Sequence, residues 1–158
     1  MMRKKWITYG IWIGISLLTG FLSGYFSRMG MAEYAQNTVK PSLTPPAALF
    51  PIVWTLLYIL MGIGVGRIWL SEPSPQRSKG LNLFIAQLMI NFFWSIIFFD
   101  LRAFDLAFLW LLLLWGLVLW MILSFRKVDP VAAALQIPYV LWLTFAACLN
   151  AGVWILNR

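Results

Sequence analysis

Helical spacing brings together the side chains of this chain that can recognise a ligand. Phe50, Trp54 and Tyr58 fall four apart, Gln87, Asn91 and Trp94 fall four and three apart with Phe98 one turn on, and Tyr139, Trp142, Ala146 and Asn150 repeat the pattern. Residues three or four apart share a helix face, so each set predicts one aromatic or amide-bearing stripe. A cavity walled by flat indole and phenol rings, with one or two amide groups, fits a large planar apolar ligand carrying few polar atoms. The amides have a second use, as hydrogen-bonding glue between helices. Either way Gln87, Asn91, Gln136 and Asn150 should face the interior, because a polar amide turned to lipid costs on the order of a few kcal/mol.

Other chemistries are excluded by what the chain lacks. It has no histidine and one cysteine, so imidazole metal or haem ligation, a Ser-His-Asp triad and an intrachain disulfide are all out of reach. Its five acids, Glu33, Glu72, Asp100, Asp105 and Asp129, map to loops and helix ends, so no ionisable coupling group of the kind an ion-driven pump uses falls at mid-membrane.

The elements that must position these stripes are membrane helices. With 62% hydrophobic and 11% charged residues the chain cannot cover a water-soluble globule with polar groups. Apolar runs at residues 6–27, 47–70, 81–99, 106–125 and 131–156 each approach the roughly twenty residues that a helix needs to cross the hydrocarbon. The expectation is an all-α integral membrane bundle of five transmembrane helices in one domain. The first run exceeds the h-region of a secretory signal and reads as a span although Arg3, Lys4 and Lys5 precede it.

The net charge of +7 sits at helix ends, which points to topology and not to nucleic acid. With the N-terminus inside, Arg3, Lys4, Lys5, Arg67, Arg77, Lys79, Arg126 and Lys127 are inner, against Arg28, Lys40, Arg102 and Arg158 outside. The positive-inside rule therefore favours N-in, C-out, in a membrane whose lipid is the first partner. Short turns near residues 100–105 and 126–130 imply that spans three, four and five are sequential antiparallel neighbours.

The long connection is 28–46. Its Lys40-Pro41-Ser42-Leu43-Thr44-Pro45-Pro46 stretch cannot be regular helix and must be extended and stiff, which suits a lid. Arg28 and Lys40 flank it and are the cations placed to meet an anionic group. Glycine pairs at Gly10/Gly14, Gly20/Gly24 and Gly62/Gly66 mark close helix approach, more readily within one bundle than between two. Trp6, Trp12, Trp69, Trp110, Trp120 and Trp154 read as interface anchors, and Trp115 as core or lipid contact.

These motifs together resemble the translocator protein family, also called tryptophan-rich sensory protein or peripheral-type benzodiazepine receptor. The resemblance rests on the Lys40 to Pro46 stretch, on Pro51-Ile52-Val53-Trp54-Thr55-Leu56-Leu57-Tyr58 with Met61-Gly62, on Gln87 to Asn91 with Trp94-Ser95, and on Pro138-Tyr139 to Trp142 with Phe145-Ala146 and Leu149-Asn150. It implies a five-helix membrane protein, a homodimer of the bacterial cell membrane, that needs no cofactor and binds porphyrins and related tetrapyrroles. Trp54, Asn91 and Trp142 match the family's pocket tryptophans and amide, with Ala146 below and Tyr34 in the loop that closes over the pocket down to Pro46. If light-dependent porphyrin degradation occurs, as the resemblance implies for some members, Trp54 and Trp142 are the indoles for an electron relay; passage of the ligand across the membrane is the rival reading. Leu43 stands where many members carry an aromatic residue, and Ala151-Gly152 replace the tyrosine of the sterol pattern after Leu149-Asn150, which removes that motif.

Overall fold

A computed structural model describes all residues from 1 to 158 and contains helices only. They are α1 (Met2–Phe26), α2 (Arg28–Asn37), α3 (Leu49–Trp69), α4 (Pro75–Ser95), α5 (Phe104–Val128), α6 (Pro130–Ala134) and α7 (Ile137–Leu156). Five stretches are long and apolar enough to cross a membrane: Met2–Phe26, Leu49–Trp69, Pro75–Asp100, Phe104–Val128 and Pro130–Leu156. The chain is therefore an all-α, multi-pass membrane bundle, and the five expected spans are present.

Three local features depart from the expected boundaries, each for a backbone reason. The third span begins at Pro75, six residues before its apolar run, because the Ser74 hydroxyl accepts the Arg77 N–H at 3.0 Å and Pro75 pre-sets the first turn. It ends in a π-helical turn, Ile96–Asp100, and Arg102 then adopts φ 51° to reverse the chain into α5. The fifth span is two helices. Pro138 offers no N–H and crowds the carbonyl one turn back, so the helix stops at Ala134 and restarts at Ile137.

The first connection differs most from its expected form. Residues Arg28–Asn37 are helical, and only the proline-rich part after them is irregular. Gly30 makes this possible by lying against the Phe99 backbone and the Asp100 carboxylate, which seats α2 on the π turn with no room for a Cβ. The segment 38–48 is extended and turned, as its prolines require, and it is fixed to the end of α7. Val39 N–H donates to Asn157 Oδ1 at 3.0 Å, Asn157 Nδ2 donates back to Val39 O at 2.8 Å, and Pro41 rests on Gly152.

The helices form a ring in the order α1, α3, α6 with α7, α5, α4 and back to α1. Spans three to five are consecutive neighbours, as their short turns implied. Ser16 and Ser23 are the two buried residues on α1, so it is the most peripheral of the five spans. The glycine pairs divide: Gly62 lies on the Ile13 backbone, Gly66 on the Tyr9 ring and Gly20 on the Tyr58 ring, whereas Gly10, Gly14 and Gly24 face open space. Close approach of α1 and α3 thus uses one member from α1 and both from α3.

Where α3 ends, Arg67 donates to Asp129 from Nε at 2.8 Å and from Nη2 at 3.3 Å, while Asp129 Oδ1 accepts the N–H groups of Val131 and Ala132 at 2.9 and 3.3 Å. One carboxylate both caps α6 and ties it to α3. Burial alone would raise its pKa, but the Arg67 hydrogen bonds and charge, with the two N–H groups, hold it below its ordinary 3.8. The folded value lies below the unfolded one, so this stabilisation is complete above the ordinary value and is lost as pH falls through the depressed one. Because Arg67 is about one-third exposed, the ion pair itself adds no more than about 1 kcal/mol. Asp129→Asn should flatten the acid limb of stability against pH in detergent, with little change at pH 7 in the shape of the unfolding transition.

Candidate functional site

Trp142 lies where α3 and the fifth span part, whereas Trp54 packs on Tyr58 and Tyr139 and lines no part of the opening. At one level Gln136 Nε2 donates to Leu60 O at 3.2 Å, and its amide lies on Gly64, which has no side chain to hold it off. Beyond this crossing α6 ends, and α7 leaves α3 instead of continuing against it. The wedge that opens has a volume of about 630 Å³. Val53, Leu56, Leu57 and Leu60 line it from α3, and Pro138, Leu141, Trp142 and Phe145 from α7. Leu56 and Leu141 are well exposed on its flanks, so the mouth opens sideways toward lipid.

Aromatic side chains stiffen the walls. Trp54 stacks on Tyr58 with centroids 5.6 Å apart and meets the Tyr139 ring edge-on at 6.3 Å. Trp142 packs between Phe50, edge-on at 5.7 Å, and Phe145 at 5.5 Å. The Trp142 indole N–H is buried and has no hydrogen-bond partner in the chain. An unpaired buried donor is costly, so a rotation of the indole that brings it to an acceptor in the wedge would be favoured. Gln136 Oε1, at the closed end, is also buried and unpartnered.

The amides expected to face a ligand lie one layer deeper. Tyr58 Oη donates to Asn91 Oδ1 at 2.6 Å, Asn91 Nδ2 donates to Tyr139 Oη at 2.7 Å, and Tyr139 Oη donates to Gln87 Oε1 at 2.8 Å. All four residues are buried. This chain crosses α3, α4 and α7, so Gln87 and Asn91 act as interhelical glue and fix the tyrosines that in turn back Trp54. Asn150 has the same role, accepting from Trp94 Nε1 at 3.2 Å and donating to Phe104 O at 2.8 Å.

The remaining expected site residues lie elsewhere. Trp94 is stacked on Phe98 at 5.0 Å and joins α4 to α7; Ala146 packs beside the core; neither lines the wedge. Tyr34, on the helical α2, packs on Phe98 and Phe99 of the π turn at 5.3 and 5.2 Å and does not line the wedge, and burial raises its phenol pKa. Lys40 Nζ lies 4.9 Å over the Tyr34 ring and donates to the carbonyls of Ala35 and Thr38. Arg28 is exposed and donates to Tyr25 O, and Pro46 is an exposed residue just before α3. The 38–48 segment is thus clamped to the end of α7 and contributes no residue to the wedge lining. The clamp residue Asn157 was not among the expected ones, although it sits seven residues after Asn150 and so on the same helix face. Of the indoles assigned to the interfaces, Trp110 instead donates to Ile90 O at 2.8 Å and ties α5 to α4; Trp115, expected as core or lipid contact, donates to Thr144 at 2.9 Å.

Known proteins share this arrangement of sequence. The family model described as the TspO/MBR family matches residues 12–155. The chain is 34% identical over 160 residues to the tryptophan-rich protein TspO of Chlorobaculum tepidum, covering 99% of both chains. It is 33% identical over 158 residues to the translocator protein of Bos taurus, covering 97% of this chain and 92% of that one. Identity to the tryptophan-rich sensory protein of Cereibacter sphaeroides is 34% over 125 residues, 79% of this chain and 77% of the relative. With matches that run from α1 to the last turn of α7, this chain belongs to the TspO/MBR family.

Proposed function

We propose that this protein is a membrane receptor for porphyrins and related tetrapyrroles, bound in the wedge between α3 and α7. The observation that carries the reading is the Trp142 indole N–H, buried and unpaired in an otherwise apolar, ring-walled wedge of about 630 Å³. That volume is within the roughly 300–1,000 Å³ range of small-molecule sites. A flat macrocycle slides between Trp142 and the Val53, Leu56 and Leu57 wall of α3 that Trp54 adjoins, its edge accepts from Trp142, and its apolar faces replace lipid. The propionates extend toward the 38–48 segment, where Lys40 is the suitable cation: it has no carboxylate partner, and it would leave the Tyr34 ring and the carbonyls of Ala35 and Thr38 to meet them. Arg28, at the joint between α1 and α2, is less well placed.

In this reading the protein sits in a bacterial cell membrane, N-terminus inside, as a homodimer, and reports ligand occupancy to a partner. The name of the Cereibacter sphaeroides relative contains the word sensory. Passage of the ligand across the bilayer is the second reading, prompted by the name translocator protein of the bovine relative. The closed end at Gly64 and Gln136 favours binding over passage, because it leaves the wedge one mouth. Flux of porphyrin in proteoliposomes beyond the amount bound at saturation would reverse that preference.

The test of the site is a porphyrin titration followed by tryptophan quenching. Trp54→Ala with Trp142→Ala should weaken binding by roughly a hundredfold, since stacked rings and a buried donor each contribute about 1 kcal/mol or more. Wild-type affinity in the double variant would remove the wedge as the site.

A further inference from the structure

A second recessed site lies at the end of the bundle where α1 begins, on the seam between α4 and α5. Its lining is Pro75, Gln76 and Lys79 from the first turns of α4, and Ser124 and Lys127 from the last turns of α5. Its volume is about 150 Å³, several times the roughly 30 Å³ of one water and enough for a phosphate group. Nothing in the tetrapyrrole reading uses it.

Three observations give the notch its chemistry. Ser124 is only 5% exposed, yet its hydroxyl makes no hydrogen bond in the chain and is not sealed from the notch. Ser16, Thr19, Thr55 and Thr144 each donate back to the carbonyl four residues earlier, the ordinary outlet for a hydroxyl on a membrane helix. The Ser124 hydroxyl is instead left for something in the notch. Lys79 and Lys127 have no acidic partner either, because the two ion pairs of the chain are Arg67 with Asp129 and Arg102 with Glu33. Lastly, the N-terminus of α4 opens here. The Ser74 hydroxyl takes the Arg77 N–H, which leaves that of Gln76 unpaired at the positive end of a 21-residue helix.

Two ammonium groups, a hydroxyl, an amide side chain and a helix N-terminus together select a phosphate. An apolar surface starts directly below. Trp120, Ser124 and Lys127 lie on one face of α5, Lys79 Nζ sits 5.0 Å over the Trp120 ring, and Trp120 and Leu123 are 50% and 59% exposed. We propose that the notch holds the headgroup phosphate of an anionic phospholipid, with an acyl chain running along Trp120 and Leu123. Free phosphate offers the same oxygens, but nothing in it would use the apolar track that leaves the notch; basic recesses between transmembrane helices are suited to headgroups.

Native mass spectrometry of the full chain, released from micelles containing equal amounts of phosphatidylglycerol and phosphatidylcholine, tests this. Wild type should retain phosphatidylglycerol preferentially. Lys79→Gln with Lys127→Gln should cut that preference about ten- to thirtyfold, and Ser124→Val should cut it about tenfold. Lys4→Gln with Lys5→Gln removes the same charge from exposed positions at the same end and should leave the preference intact. Equal loss in that control would mean general surface attraction and would overturn the site. So would no preference in wild type, or full displacement of the lipid by millimolar inorganic phosphate, which would make it a soluble-phosphate site. Thermal unfolding of each variant near the wild-type temperature shows that the lysine and serine changes act on lipid and not on folding.

Discussion

A Gly62→Val variant is expected to separate α1 from α3 and to be the most destabilised single substitution in the bundle. A Cβ at Gly62 would meet the Ile13 backbone, which cannot rotate aside as a side chain can. Overpacking of this kind costs about 1–3 kcal/mol, and more where backbone is the obstacle. In lipid the penalty is felt in full, since close packing and not apolar burial holds membrane helices together. The consequence reaches the site, because Gly20 on the same seam receives the Tyr58 ring that backs Trp54. Thermal unfolding in detergent should show a clear loss for Gly62→Val and almost none for Gly14→Val, whose Cβ would meet nothing within 4 Å. Equal behaviour of the two would mean that the α1–α3 seam is not the tight one.

Asn91→Leu should have the next largest effect, and on two properties. Asn91 is the only residue that bonds both buried tyrosines, so its loss strands the Tyr58 hydroxyl and leaves Tyr139 without a donor. Stranding a buried polar group costs about 1–3 kcal/mol, while interhelical bonds in membranes average nearer 0.6 kcal/mol because the unfolded chain also finds partners. An expected loss of about 2 kcal/mol sits between these limits. Tyr58→Phe should cost less, since it leaves one amide oxygen unpaired and keeps the Asn91 bond to Tyr139. Porphyrin affinity should fall in both variants through looser tyrosines behind Trp54, even though neither residue lines the wedge. Denaturant or heat titration gives the stability order, and quenching gives the affinity; Tyr58→Phe proving the more damaging of the two would contradict the chain of bonds.

The parts of this molecule legible in its sequence are those written as period or composition. Twenty-residue apolar runs gave five spans, and the spacing of Phe50, Trp54 and Tyr58 placed them on one stripe, because both depend only on local helix geometry. The depth of the amides was not legible. Gln87 and Asn91 had to face inward, but whether they meet a ligand or Tyr58 and Tyr139 depends on how three separate helices are rotated against each other, which no single period encodes. The helical α2 was hidden for another reason: Arg28–Asn37 is polar and glycine-containing, and it is helical because Gly30 seats it on the π turn after α4. A proline at position 138 by itself disturbs the helix one turn back, but the larger result, that α7 leaves α3 and opens the wedge, required the Gln136–Gly64 crossing as a pivot. Aliphatic wedge residues such as Val53, Leu57 and Leu141 carry no mark that separates them from core or lipid contact.

The notch at Ser124 shows the same division. Its lysines were visible as helix-end cations, with no sign that they differ from Arg67 and Arg77. The structure separates them: Arg67 holds Asp129, and Arg77 donates to the carbonyls of Ile68 and Trp69, whereas Lys79 and Lys127 have no such anionic or carbonyl partner.

The structure of the protein with protoporphyrin bound tests the central claim most directly. The macrocycle should lie between α3 and α7, its edge accepting the Trp142 indole N–H and its face near Trp54, with the Tyr58–Asn91–Tyr139–Gln87 bonds intact behind it. A macrocycle seated on the open glycine face of α1, or any binding that leaves the Trp142 N–H unpaired, would contradict the account.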